Sequence, residues 1–512
     1  MSLPSPYDFI KTRHQSGWQK IEWASFKDCS LHMIRKSKLT FKKIAGIFFN
    51  PGSYPRILLI FPAIVVMLLS MLLSGLAFSY DSGIFALAGM LVAIVWLGFL
   101  VLIALPGTDK VLAGQRWLHP LSKGLMACLL VAGVVEFGAI IAINSGSAGN
   151  GILGGATPQF MKTIPGDIAY SDSDALLYQA VDNLMHGKNP YAEANVVTAI
   201  LALKSPPGKI TPLRAGTLEN VFPYPSQDQY TQIWHEAIQS PAQSSPAIES
   251  TLGYPAGFFV IPALFMFLGI NNLRLIMLIL TLPAVMYAVA VCRPDLRLWL
   301  VGAFLGSLAI WNSIASGLTG ALYFPFLLLA WVLWRRNFWL SAVFMGLAIA
   351  AKELAWYFLP FYLILILRNS GWKRGFEAGV LAGGIFLVLN LPFIMGGPGL
   401  WLGSVFSLLK DPLFPSGTGV VTLVTFSVVN IHSSLLFTVS EIVVMVGGMV
   451  WYWFKAERYP GIGVILSVIP IFFAWRSLWP YFFYTDVILL AMIMANEYGT
   501  GRGNLEIEGN IT

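Results

Sequence analysis

The stretch Ile57–Phe78, ILLIFPAIVVMLLSMLLSGLAF, contains no charged residue. As an α-helix rising 1.5 Å per residue it measures about 33 Å, enough to cross the roughly 30 Å hydrocarbon core of a bilayer. Runs of the same kind recur at Phe85–Leu105, Leu125–Ile143, Leu275–Val291 and Leu435–Phe454. Only 11% of the 512 residues are charged and 56% are hydrophobic, about half the charged share of an ordinary soluble domain. These features predict an all-α polytopic membrane protein. The first run follows some 56 mostly polar residues, and so lacks the position and the small-residue cleavage site of a secretory signal peptide. It is expected to remain in the mature protein.

Charge placement sets the expected topology. Residues 1–56 carry ten basic side chains (Lys11, Arg13, Lys20, Lys27, Arg35, Lys36, Lys38, Lys42, Lys43 and Arg56) against Asp8, Glu22 and Asp28. The positive-inside rule therefore places the N-terminus in the cytoplasm. The stretch Trp18–Phe48 mixes aromatics with Lys and Arg, and reads either as an interfacial helix on the anionic leaflet or as a solvated tail. Residues 57–123 form an extra N-terminal transmembrane hairpin and its return loop. Residues 124–495 form the core, beginning with a span near 124–143 that leads outside, and 496–512 are a C-terminal tail. The one long polar segment, 144–254, has nine Asp/Glu and five Lys/Arg, an acidic balance suited to an outer-face loop. Apolar runs then follow near 255–270, 274–292, 298–313, 318–334, 338–367, 376–395, 433–454, 461–475 and 481–495, for roughly 12 spans in all.

Arg335/Arg336, Arg368–Arg374 and Lys455–Arg458 mark the inner side of that later part, which puts Lys352, 398–432 and Arg476–Pro480 outside. Counting from the N-terminus instead puts Arg293 and Arg297 outside. One element between 200 and 300 is therefore expected to be re-entrant or a half-span. The net charge of +7 is explained by these loops, so no nucleic-acid partner is expected. Cys29, Cys128 and Cys292 provide neither a disulfide framework nor a metal site, and His186, His235 and His432 lack ligand spacing. No cofactor is expected, and nothing indicates a divalent cation.

The stretch with chemistry follows the third span: Ser171-Asp172-Ser173-Asp174, then Tyr178, Asp182, His186-Gly187 and Asn189-Pro190-Tyr191. It predicts a short helix from Asp174 to Met185, stopped by Gly187. Asp174, Tyr178 and Asp182 fall at i, i+4 and i+8 on one face, beside an apolar face of Leu177, Val181 and Leu184. Asp172 or Asp174 is either a reactive carboxylate or a helix cap. Lys352 shares the stretch between Arg336 and Arg368 with one other charge, Glu353. It reads as a functional cation or as a side chain snorkelling at a helix break. Arg476, among Trp475, Trp479, Pro480 and Tyr481, reads as a bidentate phosphate ligand or as the anchor of an aromatic belt.

A D-x-x-x-Y, a helix and G-x-N-P-Y just after a span resemble the first outer loop of the GT-C superfamily of glycosyltransferases. Gly253-Tyr254-Pro255 at the head of the next apolar run is similar to the Tyr-Pro-Pro start found in its mannosyltransferase-like families, including glycosyltransferase family 87. Ser316-Gly-Leu-Thr-Gly320, the helix ending Arg335-Arg336, and Ala-Ala-Lys352 follow in the same order, so the resemblance covers roughly 124–495. The chain departs from that pattern in its extra hairpin at 57–105, at Ala256 in place of a second proline, and at Glu353 where family 87 often has proline.

The resemblance implies a GT-C-like bundle of about 12 transmembrane helices with one long outer loop. The activity it implies is transfer of a sugar from a polyprenyl-phosphate donor to an acceptor hydroxyl of a lipid or glycan, with inversion. Such an enzyme would sit in the plasma (inner) membrane with its site on the outer face. Asp174 would be the general base, with Asp172 the alternative; a placed carboxylate contributes typically about 10²- to 10⁴-fold. Lys352 and Arg476 would hold the donor phosphate, and Tyr178, Asp182, Tyr191 and Tyr254 would complete the substrate site. Two other classes fit a chain of this composition. A transporter or flippase for lipid-linked substrates usually shows internal repeats, and none is found here. A polysaccharide polymerase or ligase would place its chemistry late, near His432 and Arg476.

Overall fold

The computed structural model describes residues 54–146, 170–203, 205, 210–243 and 245–497. The expected interfacial stretch 18–48 and nearly all of the C-terminal tail lie outside these residues. The described chain is helical, with one parallel pair of two-residue strands, β1 (Ser416–Gly417) and β2 (Arg476–Ser477). It is an all-α membrane protein. Six of its helices are long and apolar enough to cross a bilayer: Pro55–Tyr80, Gly83–Ala104, Leu118–Glu136, Leu273–Val291, Trp372–Gly396 and Ser434–Lys455. A seventh crossing is available if Arg297–Gly306 and Leu308–Ser316, bent by 53° at their junction, act as one. Other predicted runs are shorter helices: Gly257–Phe267, Gly320–Leu333, Phe338–Ala351 and Ile462–Phe472. The run 338–367 is not continuous, because Lys352 is extended (φ −158°, ψ 141°) and breaks it.

Exposed side chains on the long helices are themselves apolar. Leu72, Val131, Val388 and Val443 are all more than half exposed, and a face of this kind is suited to hydrocarbon rather than water. The first hairpin turns at Asp81 in the left-handed region (φ 46°). Its helices approach closely because Gly89 lacks a side chain: a Cβ there would lie 3.0 Å from Ser74 Oγ. Ser70 also donates to the Gly89 carbonyl at 2.5 Å. Gly133 allows the third span to touch the bent pair, since its Cβ would lie 1.6 Å from the Leu305 carbonyl oxygen.

Basic residues collect at one end of the bundle. Buried Arg56 ion-pairs with Asp109 (3.1 Å) and with Glu497. Arg293 pairs with Asp295 and donates to Tyr54, and Arg336 donates to the carbonyls of Val291 and Ala495, both at 2.9 Å. Arg293 thus shares an end with the start of the first span. Between 200 and 300, Gly257–Phe267 is an apolar helix of 11 residues, shorter than the helices long enough to cross a bilayer. It begins beside Ala350, the nearest atoms to Gly257. Its exit, Asn271–Leu273, is hydrogen-bonded to Tyr178 of the loop helix Asp172–Met185, against which Gly257–Phe267 packs. Eleven residues reach about 16 Å, and Leu273–Val291 then runs from the Tyr178 contact to Cys292 and Arg293.

The long polar loop is itself folded. Its helices Asp172–Met185, Val196–Ala202 and Gln227–Gln239 are held by backbone bridges Pro212–Ile248 and Leu213–Leu413. The second bridge ties this loop to the segment that follows Trp372–Gly396.

Candidate active site

The loop helix starts two residues earlier than its periodicity predicts, because Ser171 is the N-cap. Its hydroxyl accepts from the Asp174 amide, and the Asp174 carboxylate in turn accepts from the Ser171 amide (2.9 Å) and hydroxyl (2.7 Å). This reciprocal capping box satisfies donors that the first helical turn leaves unpaired. Asp174 is therefore buried as the third helical residue, while Asp172, in the first turn, stays half-exposed. Burial pushes the Asp174 carboxyl up to about 7, against the hydrogen bonds from Ser171 and the attraction of Lys352.

Lys352 does not snorkel. Its ammonium is buried, donates to Thr319 Oγ1 at 2.7 Å and lies 4.7 Å from the centre of the Tyr254 ring. The break at Lys352 is what directs it there, since the preceding helix Phe338–Ala351 ends and the backbone extends for one residue. Ser173 Oγ lies 3.5 Å from the same Thr319 hydroxyl. The loop helix, the turn before Gly320–Leu333 and the end of Phe338–Ala351 therefore meet at one point. Glu353, Asp174 and Asp172 are the carboxylates close enough to act on the lysine.

The turn Ser316–Gly320 makes this meeting possible. Gly317 has φ +74°, and a Cβ there would lie 2.7 Å from the Tyr170 ring; a Cβ on Gly320 would meet the Pro480 carbonyl oxygen at 3.2 Å. Arg476, on β2, hydrogen-bonds Tyr481 and lies within electrostatic reach of Tyr224, as Asp172 does. Asp172 thus acts on Lys352 and shares Tyr224 and Tyr481 as electrostatic neighbours with Arg476.

Other predicted residues have different positions. Tyr178 joins the loop helix to the next span, accepting from the Leu273 amide (2.9 Å) and donating to the Asn271 carbonyl (3.1 Å). Tyr191 is a buried strut, donating to the Tyr254 carbonyl and packed on Phe259 and Phe393. Tyr254 stacks on Phe258 beneath Lys352. Asp182 is not gathered with them. Eight residues from Asp174, it lies about 12 Å farther along the helix, exposed and 3.3 Å from His186. The shared face of Asp174, Tyr178 and Asp182 therefore runs from the buried end of the helix to its solvent end. His432 packs against Phe222 on the loop surface, the ring centres 4.1 Å apart and the planes tilted by 33°.

Ala256 has a physical reason. Its amide donates to buried Asn390 at 2.7 Å, a bond that a second proline could not make. Two residues not singled out by sequence reasoning belong to the site. Thr319 lies inside a quoted motif but carries no charge to mark it. Arg274 lies at the head of an apolar run and resembles an interface anchor, yet it is buried with its guanidinium 4.4 Å from the Tyr170 ring centre.

Comparison of the chain with protein-family models, curated proteins and solved structures found no match.

Proposed function

We propose that this chain is a membrane glycosyltransferase that moves a sugar from a polyprenyl-phosphate donor to a hydroxyl of a lipid or glycan acceptor. The observation that carries the reading is the buried Lys352 ammonium, held by Thr319 at 2.7 Å with Asp174 and Asp172 acting on it, at the end of the bundle away from Arg56, Arg293 and Arg336. A buried cation beside a half-exposed carboxylate is the pair that phosphate departure and hydroxyl attack require. Depth supports a lipid-linked donor. Gly320–Leu333 and Phe338–Ala351 have 14 residues each, or about 21 Å against a core of roughly 30 Å. Lys352 then lies some 9 Å below the far surface, within reach of a lipid phosphate.

In this reading Asp172 takes the proton from the acceptor as the hydroxyl oxygen bonds to the anomeric carbon. Asp174 closes the capping box and fixes where Asp172 stands; it is the alternative base. Lys352 and Arg476 stabilise the departing polyprenyl phosphate. The shorter helices that also join the two ends complete a GT-C-like bundle of roughly 12 crossings. The basic end faces the cytoplasm of a plasma (inner) membrane, and the site faces outward.

The purified protein, incubated with radiolabelled polyprenyl-phosphate sugars and candidate acceptors, should transfer sugar and release lipid phosphate together. Asp172→Asn should lower turnover by about 10²- to 10⁴-fold with donor affinity unchanged, and Lys352→Met should weaken donor binding. If Asp172→Asn keeps full activity and Asp174→Asn loses it, the base is two residues later. If both keep it, the loop-helix mechanism is wrong.

A further inference from the structure

Glu353 is adjacent to Lys352 in sequence but does not take its proton donors. The lysine ammonium donates to Thr319, while Glu353 opens the 3₁₀ turn Glu353–Tyr357. Its Oε2 is buried and has no hydrogen-bond partner. The phenols of Tyr254, Tyr357 and Tyr481 lie within electrostatic reach of this carboxylate. None of them donates to it: Tyr357 donates to Glu441, Tyr481 is hydrogen-bonded to Arg476, and the Tyr254 ring lies beneath Lys352.

The carboxylate accepts from the Glu353 amide, but an ionised carboxylate cannot donate, and burying its Oε2 without a donor is costly. This corner of the site is therefore suited to a ligand that brings donors. The surrounding rings ask that the same ligand have an apolar face. A sugar ring has both, with hydroxyl donors at its edge and C–H groups on its faces. An acidic sugar would set a second negative charge against the first.

We propose that Glu353 recognises the transferred sugar, accepting hydrogen bonds from its hydroxyls near the rings of Tyr254 and Tyr481, and that this sugar is neutral or amino-bearing and carries no acid group. The assignment rests on the glycosyltransferase reading and adds the substrate class to it. Lys352 serves the phosphate and Glu353 the sugar, so the two contributions separate experimentally.

The test uses the purified full chain with four probes: bare polyprenyl phosphate, and the same lipid carrying a neutral hexose, an amino sugar or a uronic acid. Wild type should bind the bare lipid and the first two glycolipids, and reject the third. Glu353→Gln should bind bare polyprenyl phosphate as wild type does and lose roughly 10- to 100-fold in affinity for the preferred glycolipid, the worth of hydrogen bonds to a charged group. An equal loss for bare and glycosylated lipid, or no loss for either, overturns the assignment. So does preferred binding of the uronic acid. Glu353→Asp keeps the charge but withdraws it by one methylene, and should show the same selective loss if the glutamine variant does not fold. If neither variant folds, Glu353 is structural and the assignment fails. Failure of the glycosyltransferase reading shows elsewhere, in a wild type that binds none of the four lipids.

Discussion

Replacing Asp174 with Asn should make the protein's stability less sensitive to pH. Burial raises this carboxyl from 3.8 to about 7, and the Ser171 hydrogen bonds and the Lys352 charge only partly oppose it. The folded state therefore holds the proton more tightly than the unfolded chain. The stability this group contributes is fully present below about pH 3.8 and is lost as pH rises through 7. From pH 5 to pH 8 roughly two pH units of that window are crossed, so the loss is about 3 kcal/mol at about 1.4 kcal/mol per unit. Asparagine has no proton to lose, and its carbonyl oxygen can still accept from Ser171. Thermal unfolding of the detergent-solubilised protein, followed by intrinsic fluorescence at pH 5 and pH 8, should show wild type losing more stability than Asp174→Asn. Other titrating groups are common to both proteins and cancel in the comparison. Parallel pH dependence would refute the argument. It would mean that Lys352 keeps Asp174 ionised at both pH values despite its burial.

Gly317→Ala should cost about 1–2 kcal/mol for a left-handed backbone alone and more for displacing Tyr170, whose ring atom lies 2.7 Å from the new Cβ. Gly187→Ala, at φ +71° with open space around it, is the control that carries only the backbone strain; equal melting shifts for the two would show that Tyr170 gives way freely. Arg56→Met leaves Asp109 and Glu497 without their shared cation and should destabilise by about 3–5 kcal/mol, read as a lower melting temperature. Adding Glu497→Gln should recover part of that loss, and no recovery would place the Arg56 contribution elsewhere.

Membrane class was legible in the sequence because a bilayer imposes a length and an apolar composition on each crossing, and both are local properties of the chain. Lys352 stood out because a single cation in an apolar stretch is rare enough to need a reason. What the sequence left open were questions of distance. Asp172 and Asp174 are interchangeable as letters. Only the capping box, which buries the second and leaves the first half-exposed, separates them. Asp182 had the right spacing on its helix, but periodicity assigns a face and says nothing about how far along that face a partner lies.

Thr319 and Arg274 were beyond reach for the same reason. Each acquires its role from a residue more than 30 positions away, Thr319 from Lys352 and Arg274 from Tyr170. Glu353 shows both sides. The sequence marks it as a departure beside Lys352, while its partnerless buried oxygen exists only once distant segments, those of Tyr254 and Tyr481 among them, have packed near it. Local chemistry fixed which segments are helices and which end of each is basic; long-range packing decided which polar groups meet, because a side chain's partner is set by three-dimensional distance.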